Sequence, residues 1–236
     1  VTVSNACISG ACAQIAAIHL LEQGNYDHVV VTGMDLAPDF IVSGFQSFKS
    51  LDQERCRPFD ARRKGLNLGE AAATIVYGKE KKPGISLVKG SIRNDANHIS
   101  GPSRTGEGLF RALQTAMEDL PACEIAFISA HGTATPYNDQ MEAVAFSRAG
   151  LGSTPVFSLK AHFGHTLGAA GVLESVIALK ALEQGLVLPS TGFQEPGIEG
   201  EINVSKSLSK TDKRFCLKTL SGFGGCNAAL LFQNAL

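Results

Sequence analysis

The apolar positions of the chain fall into two textures that alternate from end to end. Over residues 8–22 they recur at helical spacing, and the same period returns over 107–120, 139–149 and 169–184, which predicts four helices. Between these lie short apolar runs of strand length at 71–77, 85–92, 124–129, 156–159, 202–204, 215–220 and 228–232. Residues 29–33 (Val-Val-Val-Thr-Gly) form an unbroken apolar run and predict a buried central strand. Residues 1–4 predict a short strand ahead of the first helix, and 38–48 a short helix and loop around Gly44 and Phe45. Gly24 reads as a helix stop, and Ser221-Gly222-Phe223-Gly224-Gly225 is too glycine-rich for a strand interior. Strands alternating with helices, mostly without in-and-out alternation, predict an α/β fold whose sheet is mixed in direction near its ends. The sequence "strand, polar motif, helix" recurs after Ser4, Ser129 and Leu159, so Cys7, His131 and His165 are expected at strand ends, where such folds collect their sites.

Composition narrows the function classes. Among 236 residues the formal net charge is −1, so no field of one sign argues for nucleic acid or a membrane surface. No apolar run is long enough to span a bilayer, and no signal peptide opens the chain. The six cysteines form no Cys-x-x-Cys pair, which argues against zinc and against a redox pair; reduced thiols in a cytoplasmic protein are expected, buried as small hydrophobes except at Cys7. The charged turn at 80–84 is a candidate seam between residues 1–84 and 85–236, an ordinary hairpin turn being the alternative. The chain opens on Val1 rather than methionine, which reads as a fragment.

Cys7 is the candidate around which the chemistry is read, a buried structural cysteine being the alternative. A cysteine where a strand turns into a helix faces the free N–H groups of the first helical turn, which lowers its expected pKa. Two loops look built to meet it: His131-Gly132-Thr133-Ala134-Thr135 and Gly164-His165-Thr166-Leu167-Gly168. Lys160 stands five residues before His165 and Glu174 nine after it, close enough to look back toward the site from a continuous helix. Asp139 and Glu142 share a face of the helix that follows His131.

Five stretches carry a resemblance: Asn5-Ala6-Cys7, Arg57-Pro58-Phe59-Asp60, His131 to Pro136, the KAHFGHTLGAAG run starting at Lys160, and Gly222-Phe223-Gly224-Gly225-Cys226-Asn227. In order and spacing the chain resembles the β-ketoacyl-acyl-carrier-protein synthases, the Cys-His-His condensing enzymes of the thiolase-like superfamily. The resemblance implies a layered αβαβα architecture with mixed sheets, the first half truncated, since the family has a long segment ahead of its nucleophile. It implies that Cys7 takes an acyl group from acyl carrier protein. Malonyl-carrier protein then loses carbon dioxide, and its carbanion attacks the acyl-cysteine. His131 and His165 are implied as neutral hydrogen-bond donors, with Lys160 and Glu174 supporting them. The backbone N–H groups of Cys7 and Phe223 are implied as an oxyanion hole, Phe223 also as a gate, Thr133 and Thr135 as contacts to the pantetheine arm, and Phe45 as a mobile aromatic at the acyl pocket. Asp139 and Glu142 are implied as structural or substrate-side polar contacts. Lys49, Arg62 and Arg63 are candidates for meeting an acidic carrier protein. No tightly bound cofactor and no metal are implied; the substrates ride on phosphopantetheine. A homodimer, or a heterodimer with a homologous subunit, is implied. The alternative is a catalytically incomplete fragment or a non-catalytic partner subunit that binds acyl chains or carrier protein, although such partners lack the cysteine. The Ile8-Ser9-Gly10 run after Cys7, and Cys226 where many members carry threonine, depart from the family's pattern.

Overall fold

A computed structural model describes residues 1–80 and 83–235; Lys81 and Lys82 of the expected seam lie outside the described residues. The helical period after Cys7 becomes α1 (Ser9–Glu22), ended by Gly24 in the left-handed conformation. There follow β1 (His28–Asp35), α2 (Asp39–Ser47), β2 (Ala71–Gly78), β3 (Ile85–Asn94), α3 (Glu107–Met117), β4 (Ile125–Ser129), α4 (Pro136–Arg148), β5 (Pro155–Phe157), α5 (Lys160–Phe163) and α6 (Ala170–Glu183). The chain ends with β6 (Leu186–Val187), β7 (Asn203–Val204), β8 (Ser209–Lys210), β9 (Phe215–Gly222) and β10 (Cys226–Asn234).

Six strands form the main sheet in the order β3-β10-β9-β4-β5-β7. The β3, β10 and β9 neighbours run antiparallel, whereas β9, β4, β5 and β7 are parallel, so the sheet is mixed as expected. The short β6 and β8 pair separately. Both faces of the main sheet are covered. Leu109, Leu113, Phe146, Ile128 and Leu231 pack on the side of α3 and α4, while Ile8, Ala11, Phe127, Phe157, Ala178 and Leu230 pack on the side of α1 and α6. Burial on both faces explains why β4 and β9 read as continuous apolar runs.

β1 and β2 form a separate antiparallel pair on the far side of α1 and α6, giving the layer order strand pair, helices, sheet, helices. Within this chain the burial expected of a central strand is seen on one face only. β1 alternates between buried and exposed residues, with Val31 buried and Val30 and Met34 exposed, and its only hydrogen-bonded neighbour among the described residues is β2. Its valines hide the alternation because both faces are apolar in sequence. Residues 1–4 form no strand either: among the described residues they find no partner ladder.

α1 and α6 cross with almost no space between their backbones. A Cβ on Gly10 would stand 2.9 Å from the carbonyl oxygen of Gly168, and one on Gly171 would stand 2.5 Å from the nitrogen of Ala11. These two glycines let the helix that follows Cys7 lie against the helix that follows His165.

Candidate active site

Cys7 ends a strained corner. Ala6, immediately before it, has φ 44°, a left-handed conformation that a β-carbon disfavours by about 1 kcal/mol. Ser9 fixes the corner by donating its hydroxyl to the carbonyl of Ala6 (2.6 Å) and accepting the N–H of Asn5 (2.8 Å). The Cys7 sulfur lies 3.0 Å from His165 Nε2. The backbone N–H groups of Phe223 and of Cys7 itself are directed at it. Gly222 permits that approach: a Cβ there would sit 3.2 Å from the Cys7 nitrogen.

The expected lowering of the Cys7 pKa is overturned. Burial pushes the thiol up to about 11, and the ammonium of Lys160 and the two N–H groups offset only part of that rise, while Asp35 adds to it. α1 starts two residues after Cys7, and the sulfur is held among apolar and aromatic groups rather than in water. Cys7 is therefore a thiol beside an imidazole, not a free thiolate.

Both histidines are buried, and their rings meet edge to face with centroids 5.1 Å apart. The loop of His131 is pinned by carboxylates. Glu142 accepts the N–H groups of His131 (2.8 Å) and Gly132 (2.7 Å), and Asp139 accepts those of Phe59 (2.6 Å) and Ala134 (3.2 Å). Asp139 and Glu142 thus hold the loop and do not line the reacting centre. Burial pushes Asp139 up to about 6 and raises Glu142 as well. His165 is held through its own backbone, donating its N–H to the carbonyl of Asn67 (2.7 Å) while its carbonyl accepts from Gly69 (3.1 Å). Burial drives both imidazoles well below their usual pKa, and Lys160 and Lys218 lower them further, so both rings are neutral near pH 7.

Glu174 stands with Lys160 behind the histidines as expected, although not by a continuous helix. The helix is not continuous from His165, because Leu167 takes φ 50° and a short 3₁₀ turn (Leu167–Ala169) precedes α6. Glu174 therefore turns to Lys160, whose Nζ lies 2.6 Å from its Oε1. A second ammonium, Lys218 on β9, lies 2.6 Å from Oε2. The sequence reading missed Lys218, although a lone lysine inside the apolar run Phe215-Cys216-Leu217-Lys218-Thr219-Leu220 was a signal: a buried charge requires a partner.

Cys7, His131 and His165 open onto one cavity of about 490 Å³, also lined by Phe45, Thr133, Thr135 and Phe223. Phe45 stacks on Phe223 (centroids 5.3 Å) and meets His165 edge-on, and Phe48, unremarked in sequence, packs edge-on against Phe223. The Thr133 and Thr135 hydroxyls bond each other at 2.9 Å. Exposed Lys49 and Lys64 stand on the cavity lining, and Lys64 too went unread. Arg62 is half exposed and pairs with Asp60. Arg63 is a correction: half-buried as a residue but with its side chain only 8% exposed, it donates to the carbonyls of Asp60, Gly197 and Pro136 and lies 3.8 Å from Asp139, so it is not free to meet a carrier protein. Cys123 is exposed and Cys226 half-buried, contrary to the expectation for all cysteines but Cys7. Among the described residues no cluster suits a metal ion, and no helix is long and apolar enough to cross a membrane.

Comparison with known proteins agrees with this geometry. Residues 1–82 match the beta-ketoacyl synthase N-terminal domain and residues 85–194 the beta-ketoacyl synthase C-terminal domain. The chain is 30% identical over 255 residues to 3-oxoacyl-[acyl-carrier-protein] synthase 2 of Vibrio harveyi, covering 99% of this chain and 61% of that protein. It is 32% identical to nodulation protein E of Rhizobium meliloti, covering 98% of this chain and 61% of the relative. Among solved structures, a beta-ketoacyl synthase from Burkholderia phymatum superposes with a TM-score of 0.93 at 29% identity, over 99% of this chain and 61% of that one. The ketosynthase ApeO of Xenorhabdus doucetiae, solved with its chain length factor, gives 0.93 at 33% identity, over 99% and 60%. The chain thus spans about three-fifths of the length of these relatives. With its thiolase-like fold, a cysteine and two histidines on one cavity, and both domain models matched in order, the chain belongs to the β-ketoacyl synthase family.

Proposed function

We propose that the protein carrying this chain is a β-ketoacyl-acyl-carrier-protein synthase, an acyltransferase that extends acyl chains by decarboxylative condensation in fatty-acid or polyketide biosynthesis. The observation that carries this reading is the Cys7 sulfur 3.0 Å from His165 Nε2, with the His131 ring against that of His165.

In the first half-reaction the Cys7 sulfur attacks the thioester carbonyl of an acyl-carrier protein. Because the thiol is protonated at rest, its proton passes to His165 as the S–C bond forms and then to the departing pantetheine sulfur. The N–H groups of Cys7 and Phe223 bind the transient oxyanion, an arrangement in which each donor is worth about 10² to 10³ in rate. In the second half-reaction the bond between the α-carbon and the carboxylate of malonyl-carrier protein breaks. Carbon dioxide leaves, and the electron pair forms an enolate whose oxygen accepts hydrogen bonds from the neutral His131 and His165. The enolate carbon attacks the acyl-cysteine, the new C–C bond forms, and the Cys7 sulfur leaves as a thiolate that takes up one proton from solvent. Each neutral ring carries one N–H, which it can donate to the enolate oxygen.

Thr133 and Thr135, bonded to one another on the cavity wall, are suited to hydrogen-bond the pantetheine arm, and the stacked Phe45 and Phe223 to gate the acyl chain. Exposed Lys49 and half-exposed Arg62 offer charge to an acidic carrier protein. A homologous subunit as partner is supported by the ApeO relative, solved with its chain length factor; a homodimer is the other form. Six free cysteines fit a reducing, cytoplasmic setting. No tightly bound cofactor enters the reaction.

The test is condensation of malonyl-carrier protein with a panel of acyl-carrier proteins by the full-length protein and its Cys7→Ala variant. The wild type is expected to form β-ketoacyl product and the variant to lose it by about 10³-fold or more. Product persisting in the variant removes Cys7 from the nucleophile's role.

A further inference from the structure

Lys218 is completely enclosed in the middle of β9, beside Ser129 of β4 and Leu230 of β10. Its Nζ donates to the carbonyls of Ser129 (3.0 Å), Ala130 (3.1 Å) and Thr219 (3.0 Å). Those three carbonyls match the three protons of an ammonium, yet Glu174 Oε2 also lies 2.6 Å away. The contact with Glu174 is therefore one of charge as much as of hydrogen bonding. Ser129 and Ala130 lead directly into His131, and Glu174 on α6 is shared with Lys160, which opens the segment leading to His165. A structural lysine in a strand core needs none of this, since methionine of the same length would pack there without a desolvated charge.

We propose that Lys218 is a positioning residue that couples the two histidine loops, its ammonium gripping the carbonyls ahead of His131 and the carboxylate behind His165. The proposal rests on the Cys-His-His reading of the site, and it adds a cation that the five recognition stretches do not contain. Lys218 sets two things at once. It fixes the backbone from which His131 projects, and it leaves the buried triad of Lys160, Glu174 and Lys218 with one net positive charge facing the imidazoles. The other charged or titratable groups near the rings are Cys7 ahead of α1, Asp35 at the end of β1, and Asp139 and Glu142 on α4; Lys49, Lys64, Asp95 and His98 face the cavity. None of these supplies a second buried cation, so the net charge of the triad rests on Lys218.

The experiment compares Lys218→Gln, Lys218→Arg and the double variant Lys218→Gln/Glu174→Gln in the full-length protein, following decarboxylation of malonyl-carrier protein against pH. Glutamine keeps a donor for the carbonyls but removes the charge. Its acid limb is expected to move up by about one pH unit, about a tenfold loss on that limb. Its plateau kcat should fall about tenfold with KM unchanged. Lys218→Arg keeps the wild-type limb. The double variant restores the triad's net charge and returns the limb to the wild-type position. A soluble Lys218→Gln protein with an unmoved limb and plateau overturns the proposal. If the single glutamine variant does not fold, the double variant decides: a limb displaced downward, as loss of Glu174 alone would give, overturns it, and a wild-type limb supports it. Absence of decarboxylation in the wild type would defeat the Cys-His-His reading instead. Lys218 is then judged by ¹⁵N chemical shifts of the two rings against pH, where titration identical in wild type and variants counts against it.

Discussion

Two clusters of buried carboxylates stand behind the two histidines, and they are held in opposite ways. Behind His165, Glu174 lies between the ammonium groups of Lys160 and Lys218, both 2.6 Å away. Despite full burial its pKa is lowered, because two cations and their hydrogen bonds outweigh desolvation. Behind His131, Asp139 and Glu142 are equally buried, but their close partners are backbone N–H groups, the Asn138 amide and the Thr219 hydroxyl; the nearest cation to Asp139, Arg63, is 3.8 Å away. There desolvation wins, and both pKa values rise. The difference teaches that a buried carboxylate here is held ionised where ammonium groups meet it, while backbone N–H donors alone do not offset its desolvation.

The severest way to break this contrast is to remove the anion shared by the two cations. Glu174→Ala leaves two buried ammonium groups without a counter-charge, a loss expected to destabilise the fold by about 3 to 5 kcal/mol. Urea unfolding measures it. A loss below about 1 kcal/mol would mean that the lysines find water or other anions, and that the triad is not the closed unit described here. Glu142→Gln is the matched change behind His131. It removes a carboxylate whose ionisation burial already opposes and keeps one acceptor oxygen, so about 1 to 2 kcal/mol is expected. Equal losses in the two variants would erase the distinction.

What the sequence disclosed of this site was the three side chains that share its cavity. Cys7, His131 and His165 each sit in a local motif, although only His131 closely follows a strand, and one cavity joins them. What it concealed depended on contacts remote in the chain. Cys7 seemed activated by its helix because a dipole is a local property, whereas the burial that raises its thiol comes from β9, α2 and the His165 loop. Arg63 looked like surface charge in a polar turn, but Gly197 and Pro136 close over it. The apolar run of β1 could not show that only one of its faces is covered. Lys218 was visible as an anomaly in an apolar strand, but its partner, Glu174, lies on another element and could not be named from spacing. The α/β alternation and the mixed sheet were legible because each helix and strand carries its own period.

Acid sharpens the comparison in a different coordinate. His131 and His165 are held neutral with pKa values well below 6.5, so below that pH the unfolded chain binds protons that the folded chain refuses. Their contribution is fully present above about pH 6.5 and is lost as pH falls, by up to about 1.4 kcal/mol per histidine for each pH unit. Asp139 and Glu142 act with the opposite sign. Their raised pKa values make the folded chain bind protons before the unfolded one, so falling pH stabilises the fold through them. Glu142→Gln removes part of that compensation. Its unfolding free energy should therefore drop more steeply than that of the wild type between pH 6.5 and 5.5. Parallel pH dependences would show that Glu142 is ionised throughout, as Glu174 is.

The smallest expected effect comes from two adjacent arginines. Arg62 is about half exposed and pairs with Asp60, which already accepts N–H groups from Arg62, Gln194 and Glu195 and keeps a lowered pKa through those hydrogen bonds despite some desolvation. Arg62→Ala therefore leaves Asp60 satisfied, and a change of at most about 0.5 kcal/mol in unfolding free energy is expected. Arg63 has three backbone carbonyls and the buried Asp139 around it, so its removal strips donors from two part-buried carbonyls and the nearest cation from Asp139. If Arg62→Ala costs as much as Arg63→Ala, exposure does not separate them and Asp60 depends on its ion pair. If only Arg63→Ala is costly and it raises the Asp139 pKa further, then a cation 3.8 Å away already tempers that carboxylate. The two clusters then differ in the distance of their counter-charge rather than in its presence.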